Sequence, residues 1–75
     1  KSLDEDVFDE WLEKGRQSKI SYSILMIVWD AFENDYVPVY TENREELQKY
    51  EKYQTATGRE SLVAAYDLYS ESRIS

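Results

Sequence analysis

The run from Ile20 to Phe32, ISYSILMIVWDAF, limits what this chain can fold into more than any other stretch. It is apolar on nearly every side, whereas charged and apolar residues alternate elsewhere. Such a segment has to be covered by neighbours on several sides. Wound as a helix, it places Ile20, Ile24, Ile27, Val28, Ala31 and Phe32 on one broad face. Leu25 and Trp29 widen that face, Met26 lies beyond them, and the polar strip holds only Ser23, Asp30, Glu33 and Asn34. Strand is the competing state, because Ser, Tyr and β-branched residues dominate positions 20–28 and short apolar runs fit either form. Helix is preferred: Trp29 and Phe32, with Asp30 and Glu33, carry the helical period onward where strand alternation breaks down.

Gly15, Pro38 and Gly58 punctuate the chain, and Gly and Pro are the strongest local breakers. They predict four helical segments. The first runs from about Leu3 to Lys14. Ser2 and Glu5 have capping-box spacing, and Asp4, Glu5 and Asp6 occupy the first turn, where the helix dipole favours anions. Leu3, Val7, Phe8, Trp11 and Leu12 make its apolar half, and Glu5, Asp6, Asp9, Glu10 and Glu13 the other. Lys14 and Arg16 suit its C-terminal end, and Gly15 reads as its terminator.

Pro38 biases Val37 toward extended backbone, so Tyr36–Tyr40 reads as an extended connection. A third segment starts near Asn43, which has capping-box spacing to Glu46, and carries a narrow stripe of Leu47, Tyr50 and Tyr53. A fourth starts near Thr57, spaced likewise from Glu60. Its main face is Leu62, Ala65, Tyr66 and Tyr69, with Val63 at the margin and Ala64 and Leu68 on the other side. The expected architecture is a single all-α domain over residues 1–75: a small bundle of three to four short helices around a central apolar helix, Ile20–Phe32. The alternative is an α+β fold with a short hairpin made from residues 20–28 and 36–40.

Composition then narrows function. The chain has 75 residues, a formal net charge of −7, no Cys and no His. A domain this small buries only about 60% of its unfolded surface. It has no disulfide to support it, nor the usual Cys or His ligands of a structural zinc site. No Asp-rich calcium loop with a closing Glu is present either, so neither a metal nor a cofactor is expected. The absence of Cys and His removes the common nucleophile–base pairs, and there is no Gly-rich phosphate loop. The expectation is a protein that is not an enzyme and has no catalytic residues.

The negative charge opposes binding to phosphate backbones and to anionic membranes. No apolar run approaches the roughly 18 residues of a membrane span. The opening Lys1–Asp6, with one base followed by acids, does not read as a signal peptide. Lack of Cys is compatible with a reducing, cytoplasmic setting.

The functional expectation is a non-enzymatic acidic protein-interaction module, such as a small regulator, inhibitor or accessory subunit. Its partner would be another protein with a basic surface, met through Asp6, Asp9, Glu10 and Glu13 and through the apolar flank Leu25, Met26 and Trp29. A solvated helix face with good dipole placement would look the same in sequence. One alternative is a homodimer that buries that flank. A second is weak nucleic-acid binding through the cluster Lys14, Arg16 and Lys19, which the surrounding carboxylates disfavour.

Overall fold

Residues 24–30 form the central strand of a three-stranded antiparallel sheet, with one helix on each face. A computed structural model describes residues 3–57 and 60–74, with residues 51–57 described as helical backbone only. The element order is α1 (Glu5–Gln17), β1 (Ile24–Asp30), β2 (Asp35–Thr41), α2 (Arg44–Thr57) and β3 (Glu60–Asp67). The strands lie in the order β2-β1-β3. The α2 crossover therefore carries the chain from one edge of the sheet to the other, past β1.

This overturns the all-α bundle. Two of the four expected helices are absent: the apolar run supplies β1, and the segment after Gly58 supplies β3. Trp29, Asp30, Phe32 and Glu33 do not extend a helical period. Asp30 ends the strand, and its Oδ1 accepts hydrogen bonds from the backbone N–H of Phe32 (2.9 Å) and Glu33 (3.3 Å). That Asx turn starts the loop of residues 31–34. Asn34 closes it at φ 55°, a left-handed conformation that Asn tolerates. The chain returns as β2, with Asp30 opposite Asp35 and Ile24 opposite Thr41. The hairpin thus has strands at 24–30 and 35–41, not 20–28 and 36–40, and a third strand flanks it.

Two cores meet at the sheet because successive strand residues face opposite ways. Ile24, Met26 and Val28 join Leu47, Tyr50, Val37, Val39, Leu62 and Ala65 beneath α2. Leu25 and Ile27 join Leu12, Leu68, Phe8, Trp11, Tyr40 and Tyr66 beneath α1. Strand β1 needs apolar residues on both faces, and the sequence supplies them in an unbroken row from Ile24 to Trp29.

Local capping chemistry explains the helix starts. Asp4 is the N-cap of α1, its carboxylate accepting from the Asp6 N–H at 2.8 Å. Ser2, the serine of the expected capping box, lies outside the described residues, as does Gly58. At α2, Asn43 Oδ1 accepts from the Glu46 N–H (3.0 Å), while the Glu46 carboxylate accepts from the Glu42 N–H (2.9 Å). Gly15 does not terminate α1, which continues through it to Gln17. Thr57 ends α2 and Glu60 opens β3, so their spacing is no capping box.

A bulge at Val63 shifts the β3 register: Ile27 pairs with Ala64, but Val28 pairs with Leu62. Beyond β3 the chain turns at Asp67, whose carboxylate accepts from the N–H of Tyr69 (2.9 Å) and Ser70 (3.0 Å). Those hydrogen bonds, Ser70's the stronger influence, hold the Asp67 carboxyl below its ordinary pKa. The tail then returns along the outer edge of β3: the Ile74 N–H donates to the Ala65 carbonyl at 2.7 Å, and Arg73 bridges to Tyr66.

Tyr50 ties α2 to the start of β3, its hydroxyl donating to Glu60 Oε1 at 3.0 Å. Burial first, then that hydrogen bond and the Glu60 and Asp30 charges, push its pKa up to about 12. An ordinary tyrosine in the unfolded chain titrates near 10. The folded protein therefore holds this proton more tightly, and the stability contributed is complete below about pH 10 and lost as pH rises through about 12. Spectroscopic tyrosine titration should show two phenols ionising late, that of Tyr40, raised by burial, and that of Tyr50. In Glu60→Gln the Tyr50 phenol should move down but stay above the ordinary value, because burial remains. Late phenols that all stay unmoved in the variant would show that the Glu60 contact does not hold the Tyr50 proton.

Candidate functional site

Which side of α1 faces outward is decided by what holds its other side. Leu12 is buried, and the Phe8 ring meets Tyr66 edge-on with centroids 4.8 Å apart. The Tyr40 hydroxyl donates to the Trp11 carbonyl at 2.7 Å. Arg16 Nε donates to the Leu68 carbonyl at 2.6 Å, and its guanidinium pairs with Glu71 at 2.9 Å. Gly15 is buried against the sheet, where a β-carbon would lie 2.6 Å from Tyr40 Cε1. Here the helix requires glycine for close approach, not for a positive φ.

With that side fixed, Asp6, Asp9, Glu10 and Glu13 are all exposed. Among the described residues none of the four forms an ion pair. Glu13 alone takes a side-chain hydrogen bond, from Gln17 Nε2 at 2.8 Å. Glu5 and Asp6 lie in the first turn, where the exposed N–H groups of the helix end favour them.

Beside this acidic surface is an apolar groove of about 450 Å³, between the N-terminal half of α1 and β3. Ile27, Ala64 and Tyr66 from the sheet line it, with Phe8, Leu3 and Tyr36 around them, Val63 on the strand edge and Glu5 from the helix. Val63 is 46% exposed because the bulge carries it out of both cores.

The other expected site residues are dispersed. Leu25 and Met26 are each 0% exposed, in the interior on opposite faces of the sheet, so neither offers surface to a partner or a second copy. Trp29 is half-buried, edge-on to Tyr36 at 5.0 Å, on the α1 side. Lys14 and Arg16 lie about 200° apart around α1, and Arg16 is engaged by Leu68 and Glu71. Lys19 is exposed in the connection to β1. The three cations therefore do not form one patch. Among the described residues, no group of Asp or Glu side chains is arranged to hold a metal ion, and no helix is long and apolar enough to cross a membrane.

Sequence reasoning missed the groove. Its one signal was Val63, an apolar residue at the margin of the face assigned to its segment. No protein-family model, curated protein or solved structure matches the chain.

Proposed function

We propose that this protein works by binding another protein with a basic surface, through the outward acidic side of α1, and performs no chemistry of its own. One observation carries the reading: Asp6, Asp9, Glu10 and Glu13 stand exposed, without a described cation, on a helix whose opposite side is locked to the sheet. A fixed array of like charge raises the encounter rate with an oppositely charged partner. The net charge of −7 and the lack of Cys and His support a binding role over catalysis. A small regulator, inhibitor or accessory subunit in the cytoplasm fits these properties.

Affinity capture from the native host, with mass spectrometry, supplies the partner. The triple variant Asp6→Lys/Asp9→Lys/Glu13→Lys then tests the face. All three positions are exposed, so the fold should persist by circular dichroism. The association rate should fall by about tenfold or more at low salt, and its decline with added salt should flatten. A variant that associates as fast as the parent, with the same salt dependence, removes this face from the interaction.

A further inference from the structure

We propose that the groove between α1 and β3 seats one bulky apolar side chain of a cationic protein segment, whose flanking Lys or Arg residues pair with Glu5 and Asp9. The proposal rests on the acidic-interaction reading above and adds a location and a partner chemistry to it.

The groove exists because of three features of the sequence. Ala64 stands opposite Ile27 and leaves room that a larger side chain would fill. The bulge lifts Val63 to form an outer lip, and the Phe8–Tyr66 ring contact supplies an aromatic wall. The volume of about 450 Å³ lies within the range of about 300–1,000 Å³ common for ligand pockets. Apolar anchors seated in such pockets carry most of the energy of many interfaces.

Charge selects the occupant. Glu5 lines the groove, and Asp9 lies one turn along the same flank of α1. Arg16 marks that flank as the one turned toward β3, but it is spent at the far end on the Leu68 carbonyl and Glu71. The groove end of the flank therefore carries Glu5 and Asp9, while the described cation Arg73 lies across from Tyr66 on the outer edge of β3. The carboxylate pair opposes a fatty-acid carboxylate, a nucleic acid or an anionic membrane. It also opposes a second copy, which would bring its own acidic helix and a net charge of −7. A cationic segment with an aromatic or aliphatic anchor satisfies floor and rim together.

The test titrates the full chain, with isotope-labelled amides and methyls, with a capped synthetic peptide carrying a single Phe among Lys residues. Two control peptides replace the Phe by Ser or the Lys by Glu. The Phe peptide should give saturable methyl shifts at Ile27, Val63 and Ala64. The Ser peptide should bind about tenfold more weakly, the loss expected for one unburied ring, and the Glu peptide should not bind. Val63→Ser, at an exposed position, and Glu5→Lys should each weaken the Phe peptide several-fold. Equal binding of the Phe and Ser peptides, with shifts confined to the outward amides of α1, overturns the groove proposal and leaves the acidic-face reading standing. Shifts at neither surface overturn both. Groove shifts that follow protein concentration without peptide, or that the Glu peptide reproduces, also overturn the proposal.

Discussion

Gly15→Ala is expected to destabilise the protein by up to about 2 kcal/mol, against a helix propensity that alone favours Ala by about 1 kcal/mol. The added β-carbon would lie 2.6 Å from Tyr40 Cε1 and 2.9 Å from both Tyr40 Cδ1 and Leu68 Cδ2. The Tyr40 ring has little freedom to retreat. Its hydroxyl is held by the Trp11 carbonyl at 2.7 Å, and its face stacks on Tyr22 with centroids 5.4 Å apart. Overpacking a close-packed core costs about 1–3 kcal/mol, enough to cancel the propensity gain and reverse it. For a domain of this size, each kcal/mol lowers Tm by about 4–8 °C. A thermal melt and a urea curve measure the effect, and Gly15→Val should be worse. Relieving the clash by Tyr40→Leu should make the double variant more stable than the two single losses predict. A Gly15→Ala protein that melts higher than the parent would show that helix and ring do not meet so closely.

The second large effect comes from β1. Leu25→Ala and Met26→Ala should each lose about 2–5 kcal/mol, the range for truncating a large buried side chain. Both residues are fully buried, with Leu25 beneath α1 and Met26 beneath α2. They sit in different clusters on opposite faces of the sheet, so each loss stands on its own packing, with some coupling through the shared backbone of β1. A domain of this length holds roughly 4–11 kcal/mol in all, and the double variant should be largely unfolded in buffer. Urea denaturation with far-ultraviolet circular dichroism reads both outcomes. Two near-neutral substitutions would mean that one of the layers is not packed as described.

Much of α1 was legible in the sequence. Its acidic first turn, apolar stripe and basic last turn all correspond to the observed helix, although its cap is Asp4 and its interior contains Gly15. The start of α2 was legible as well, since Asn43 and Glu46 carry their own capping signal. The strands were not, for two physical reasons. First, β1 is covered on both faces, so Ile24–Val28 loses the alternation that marks a half-buried strand, and an unbroken apolar run fits a buried helix equally. Second, the bulge in β3 inserts one residue into the alternation. Leu62 and Ala65, three apart, then share the α2 face, while Ala64 and Tyr66 share the other. A spacing of three imitates a helix, and a strand with an extra residue produces it. The acidic residues of the candidate site could be read from sequence because helix geometry alone separates them from the apolar stripe. The groove could not, because it depends on pairing Ala64 with Ile27 across a register that only the bulge defines.

The strand order also bears on how the chain reaches its native state. β1 acquires one neighbour through a tight hairpin, but its other neighbour comes from residues 60–67, after the whole of α2. Contacts between segments so distant in sequence form late, because their loop entropy must be overcome first. Until then the most apolar strand of the molecule has one bare edge. Such an edge is a template for pairing with another chain. During refolding and synthesis, mutual repulsion between molecules carrying seven acidic charges in excess opposes such pairing until β3 arrives.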